Sequence, residues 1–238
     1  MKIRCIVWFL LIPLMGIGQE TGEARLGSWL MYFGTHQIAD RFSIHSEAQF
    51  RYYETVSNFN QLLLRTGLNY KADIKATVTL GYAYIDTDPT FTDAILEDTF
   101  FTENDVKEHR IFQQLITTGL IGNTRLEHRY RLEQRFITNS FESFTAHRAR
   151  YRLYVTYPLY KQWYLSAYNE IFINLQDDVF DQNRLYGALG YKLDKNIRME
   201  CGYLKNHFTG RNFDRLQFAV FWNADLRKNK TNSSKKKL

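Results

Sequence analysis

Residues 125–136 restrict the fold more than any other stretch. Their odd positions are Arg125, Glu127, Arg129, Arg131, Glu133 and Arg135, and their even positions Leu126, His128, Tyr130, Leu132, Gln134 and Phe136. Side chains on a strand alternate between two faces. As a strand, this segment has one fully charged face and one mostly apolar, aromatic face. As a helix it would spread Arg and Glu around the whole cylinder and leave no apolar stripe to bury. The segment therefore reads as a strand. In a soluble sandwich its apolar face would meet a second sheet. In a membrane barrel that face would meet lipid, and the charges would line the lumen.

Export bears on that choice. Residues 1–18 read as a secretory signal peptide, with Lys2 and Arg4 before an apolar run at 6–17 and small residues in Gly16-Ile17-Gly18. Cleavage is expected after Gly18, leaving Gln19 first and a loose segment at 19–25. The other reading is a membrane anchor, but the run is shorter than the roughly 20 residues of a spanning helix. After cleavage Cys201 is the one cysteine left, so no intramolecular disulfide is expected. The formal charge is +6, and much of the excess lies in a polar tail at 226–238 with Arg227, Lys228, Lys230, Lys235, Lys236 and Lys237. The body is close to neutral, which gives nucleic-acid binding little support.

The alternation of the opening stretch recurs along the chain. Residues 42–52 place Ser43, His45, Glu47, Gln49 and Arg51 on one face and Phe42, Ile44, Ala48, Phe50 and Tyr52 on the other. Similar segments follow at 61–70, 76–86, 109–121, 145–157, 163–174, 184–193, 197–206 and 213–225, after a first one at 26–36. Short turns are expected near 37–41, 71–75, 122–123, 158–162 and 194–196. Longer loops are expected near 53–60, 87–107, 139–144, 175–182 and 208–212, the second of them acidic. Strict alternation of short turns and long loops is the habit of an outer-membrane barrel. We therefore expect an all-β, antiparallel up-and-down transmembrane barrel over 26–225, in the outer membrane of a Gram-negative cell. A soluble periplasmic β-sheet binding protein is the other architecture. Eleven strands can be counted, but placing both termini on one side needs an even number. That parity favours twelve, with ten possible, unless the N-terminal segment threads the lumen.

The runs Glu108-His109-Arg110 with Gln114, His128 to Phe136, Arg148 to Tyr154, and Asn169-Glu170-Ile171-Phe172 resemble domain of unknown function 2490. The resemblance covers about residues 25–225. It implies an exported outer-membrane β-barrel, and it implies no catalytic residues.

The expected lumenal charge network comprises Arg110, Arg125, Glu127, Arg129, Arg131, Glu133, Arg135, Arg148, Arg150, Arg152, Glu170, Arg184 and Glu200, with Glu47, Arg51, Arg65, Arg198 and Arg215 as further inward candidates. Pairing the segments around a loop at 139–144 sets Glu133 opposite Arg150, Arg131 opposite Arg152 and Arg135 opposite Arg148, and the next turn sets Arg150 opposite Glu170. Opposed like charges destabilise, and Arg outnumbers Glu. The interior is then either a salt-bridged filling that fixes register, or an anion-attracting space, a narrow pore or a site for an acidic ligand held by Arg forks. The alternative activity is that of a membrane-embedded lipid hydrolase. Such an enzyme needs a nucleophile beside a base, and neither His128 nor His147 has an obvious cross-strand Ser. No catalytic residue, metal site or cofactor is assigned. Trp29, Trp163 and Trp222 are expected as outward interface aromatics. The implied partners are outer-membrane lipid, the barrel-assembly machinery and a small anionic solute.

Overall fold

The computed structural model describes residues 22–91, 105–176 and 178–227. The predicted signal peptide, most of the acidic loop and nearly all of the basic tail lie outside these residues. A short 3₁₀ turn, Gly22–Ala24, precedes eleven strands: β1 Gly27–Gln37, β2 Phe42–Tyr52, β3 Phe59–Asp73, β4 Ala76–Thr87, β5 Val106–Ile121, β6 Thr124–Thr138, β7 Ser143–Pro158, β8 Trp163–Asn174, β9 Phe180–Lys192, β10 Ile197–Phe208 and β11 Arg211–Asp225. They form one closed barrel in which each strand pairs antiparallel with its neighbours in sequence. Closure is by a parallel ladder from Gly27↔Arg215 to Gln37↔Asp225.

The strand count corrects the expectation of twelve. The eleven segments visible in the sequence are the described strands, and parity is satisfied by running β1 alongside β11 rather than by adding a strand. A parallel ladder closes a sheet with slanted instead of perpendicular hydrogen bonds, so an even number is not required. The segment before β1 is also not loose throughout: Arg25 Nη1 lies 2.9 Å from Glu54 Oε1, and Arg215 Nη1 donates to the Arg25 carbonyl at 3.0 Å.

Every second residue points inward. At one end, here the turn end, the connections are 38–41, 74–75, 122–123, 159–162 and 193–196. Gly122 there has φ +57°, which suits the first central position of a tight two-residue hairpin. The opposite, loop end carries 53–58, 88–105, 139–142, 175–179 and 209–210. The expected length asymmetry is thus weaker than predicted, because 139–142 and 209–210 are no longer than the turns. Pairing runs out to Thr138↔Ser143 and Phe208↔Arg211, so the strands consume the residues assigned to loops.

The inner face is not all charge. Leu63, Ala83 and Ile85 form one buried cluster, and Trp29, Tyr186 and Leu204 another. Two rings lie flat against glycines: a Cβ on Gly81 would sit 2.4 Å from the Phe112 ring, and one on Gly190 would sit 2.1 Å from the Tyr164 ring. Absence of a side chain at these two positions is what lets a bulky neighbour lie along the wall.

Candidate functional site in the lumen

The charged face of β6 points into the barrel. Glu133, 1 % exposed, is the hub. Its Oε2 accepts from Arg148 Nε at 3.0 Å and Nη2 at 2.7 Å, and its Oε1 accepts from Arg150 Nη1 at 2.8 Å. Arg110 and Arg131 lie at 3.4 and 3.6 Å. Glu170 Oε1 accepts from Arg129 Nη2 at 2.7 Å and Arg150 Nε at 3.0 Å. Glu108 takes Arg110 and Arg135, both at 2.7 Å. Glu127 takes Arg152 at 2.8 Å, and Glu47 takes Arg65 at 2.6 Å.

The register between β6 and β7 differs from the expected one by two residues. Glu133 faces Arg148, Arg131 faces Arg150 and Arg129 faces Arg152. Glu170 faces Arg152, and Arg150 faces Phe172. The reason is the loop. Asn139 Oδ1 accepts from the amides of Phe141 and Glu142 at 2.8 and 2.9 Å, folding 139–142 into a side-chain-closed turn and extending both strands. Arg150 nevertheless sits between Glu133 and Glu170, as diagonal neighbours lie within reach of long side chains. The expected like-charge pairs Arg131–Arg152 and Arg135–Arg148 are replaced by Arg131–Arg150 and Arg129–Arg152, and carboxylates bridge these diagonally.

Glu200 departs from this scheme. It accepts from the hydroxyls of Tyr154, Tyr164 and Tyr186 at 2.5, 3.0 and 3.4 Å, with no guanidinium of the described residues within 4.0 Å. Among the described residues, Arg51, Arg184 and Arg198 in turn have no carboxylate within that distance. Arg51 donates to the side-chain carbonyls of Gln49 and Gln61 and Arg184 to that of Gln182, and all three guanidinium groups lie over aromatic faces. Trp29 is held between Arg51 at 3.9 Å and Arg184 at 4.9 Å, Phe172 carries Arg150 at 4.1 Å and Arg184 at 4.6 Å, and Phe221 carries Arg198 at 3.9 Å. A ring face attracts a cation without neutralising it. Arg125 lies exposed at the turn-end mouth.

Trp29 is therefore a correction. It points inward and is 6 % exposed, whereas Trp163 and Trp222 point outward at 44 % and 42 %. Both faces of β1 carry apolar residues near Trp29, so alternation alone does not orient that strand. The lumenal aromatics Phe112, Phe172 and Phe221 were not among the expected site residues, although strand parity places them beside the charges.

These groups surround a cavity of about 780 Å³ whose walls carry sixteen Arg and Lys side chains but five Glu. Its walls include Ile74, Lys75 and Lys71 at the turn end. At the loop end the interior is filled by Tyr53, Phe59, Ile85, Ile137, Leu204 and Phe213, all buried, and none of them lines the cavity. Among the described residues the cavity lining reaches the turn end, and buried apolar side chains gather at the loop end.

The family model described as Protein of unknown function (DUF2490) matches residues 26–217. The chain belongs to the DUF2490 family. No curated protein matches it significantly. Within this DUF2490 barrel, no group of three or more His, Cys, Asp and Glu side chains among the described residues converges as a metal site. His128 and His147 do not share a site. His128 Nδ1 lies 2.9 Å from Tyr151 Oη, and His147 pairs across the sheet with Gln134. A different histidine, His36 on β1, meets a serine, and neither residue was singled out in the sequence.

Proposed function

We propose that this DUF2490 barrel resides in the outer membrane of a Gram-negative cell, after export and insertion by the barrel-assembly machinery. There it binds a small anionic solute in its cationic lumen, reached from the turn end. The observation carrying the binding reading is the charge imbalance around the cavity, where Arg51 and Arg184 lie beside the same ring and, among the described residues, are bonded to neutral glutamines with no carboxylate within 4.0 Å. Guanidinium groups are planar forks suited to phosphate and carboxylate. A surplus of positive charge along the walls of one cavity attracts a small anion.

The membrane reading is supported by the outer surface. Leu64, Leu68, Leu80, Leu132, Leu165, Leu189 and Phe218 are 40 % to 61 % exposed there. A soluble monomer seldom shows so continuous an apolar belt. Aromatics gather on that surface toward the turn end: Trp163 meets Tyr191 edge-on at 4.8 Å, and Phe42 meets Tyr70 at a tilt at 5.2 Å. No helix among the described residues is long and apolar enough to span a membrane, which says nothing of crossing by strands. The filled loop end favours a binding cavity over an open anion-preferring pore.

Calorimetric titration of the detergent-folded protein with inorganic phosphate tests the binding reading. Heat of binding that weakens as ionic strength rises is expected. An absence of binding at low salt, or an affinity insensitive to salt, would count against it.

A further inference from the structure

We propose a second site on the outer face, where Ser46, His36 and Tyr32 form an acyl-transfer centre for a lipid ester. Ser46 Oγ lies 2.9 Å from His36 Nε2, and Tyr32 Oη lies 3.4 Å from the same nitrogen. The three atoms converge over Gly34. A Cβ placed there would meet Ser46 Oγ at 2.3 Å, Tyr32 Oη at 2.5 Å and His36 Nε2 at 2.6 Å. The missing side chain leaves a notch that a serine, a base and a second hydroxyl all reach.

The sheet builds this arrangement. The hairpin joining β1 to β2 sets Ser46 opposite Gly34 and His36 opposite Ile44, so His36 reaches Ser46 along the diagonal. Trp222, opposite Gly34 on β11, holds the imidazole edge-on at 5.1 Å and 75°. The position is outward, since the inward residues of these strands are Phe33, Thr35, His45 and Glu47. Of the other outward histidines, His109 meets Tyr82, His128 meets Tyr151, His207 meets Asn212, and His147 pairs across the sheet with Gln134. Among the described residues His36 is the one bonded to a serine hydroxyl.

A serine within hydrogen-bond reach of an imidazole is the minimum of a nucleophilic centre. Its place selects the substrate class. This site rests on the outer-membrane reading, under which it faces lipid close to the aromatic residues of the turn end, where ester carbonyls meet acyl chains. Ser46 Oγ attacks the ester carbonyl carbon as its proton passes to His36 Nε2. The Tyr32 hydroxyl is the donor available to the developing oxyanion. The acyl carbon–oxygen bond then breaks, and the imidazolium returns the proton to the leaving alkoxide. Water, deprotonated by His36, attacks the acyl-serine, releases a fatty acid and restores the serine hydroxyl.

The test uses the full-length protein folded in detergent, with folding of each variant verified by heat-modifiable migration. An alkyl fluorophosphonate is added and the adduct located by mass spectrometry. The wild type and Ser57→Ala should both label at Ser46, and Ser46→Ala should not label. His36→Asn should slow labelling at least 100-fold, the lower end of what a general base contributes. Should Ser46→Ala misfold, Ser46→Cys keeps the question open to measurement: its alkylation by iodoacetamide should fall at least tenfold when His36→Asn is added. No adduct at Ser46 in the wild type, or equal rates with and without His36, would overturn the site. Labelling in detergent does not depend on cellular location. A protein that labels at Ser46 but fractionates as soluble would refute the membrane reading and the lipid substrate while leaving the dyad in place.

Discussion

At Glu133 a single buried carboxylate meets Arg148 and Arg150 directly, with Arg110 and Arg131 close behind. Removing one partner of a buried ion pair leaves the others uncompensated, at a cost of about 3–5 kcal/mol. Glu133→Gln should therefore lower the stability of the detergent-folded barrel by that order, read as a shift in urea midpoint. A loss below about 1 kcal/mol would contradict its role as hub. Arg184 is the opposite case. Among the described residues it has no carboxylate within 4.0 Å; it donates to Gln182 at 3.3 Å, its Nε is buried without a hydrogen-bond acceptor, and it lies over the rings of Trp29 and Phe172. An Arg184→Met variant should lose no more than about 2 kcal/mol of stability, the size of a desolvated cation–π contact, while weakening phosphate binding. The contrast separates arginines that hold the barrel from those left over for a ligand. The sequence displayed the surplus of Arg on inward faces. It did not display which arginines rest on rings, because Trp29 lies on a strand whose two faces are both apolar.

At the scale of elements, β6 was legible residue by residue, because a strict charged/apolar alternation admits one conformation and one orientation. Its register against β7 was not. Register depends on where the loop closes, and that rests on the Asn139 side chain capturing two amides, a choice Asn allows but does not dictate. The Ser46–His36 contact was hidden for a related reason. It is diagonal, and it appears only once the 38–41 turn has fixed the pairing of β1 with β2. Closure was not legible either: parity favours an even count, and only the parallel pairing of β1 with β11 lets eleven strands close. The parallel seam makes a direct prediction. Leu30 and Phe218 are paired neighbours, so Leu30→Cys with Phe218→Cys should form a disulfide on mild oxidation. The Cys201→Ala background is needed because Cys201 also pairs with Phe218. Electrophoresis after oxidation reads the cross-link, and its absence in folded protein would break the seam.

For the whole molecule, an apolar outer belt encloses a polar, arginine-rich interior, which among the described residues is packed with apolar side chains toward the loop end. The proposed location predicts that the protein fractionates with the outer membrane and needs detergent for release; recovery in the soluble periplasm would refute it. A filled loop end predicts no steady conductance in planar bilayers, and a stable anion-selective current would show that the filling moves aside. The central claim is that the surplus arginines hold an anion inside the barrel. Selenate diffused into crystals, located by its anomalous scattering, tests this most directly. The account predicts an anomalous peak inside the cavity within contact of Arg51 and Arg184, lost in the Arg51→Met, Arg184→Met variant. A cavity without anomalous density at saturating selenate, or selenate bound only on the outer surface, would contradict it.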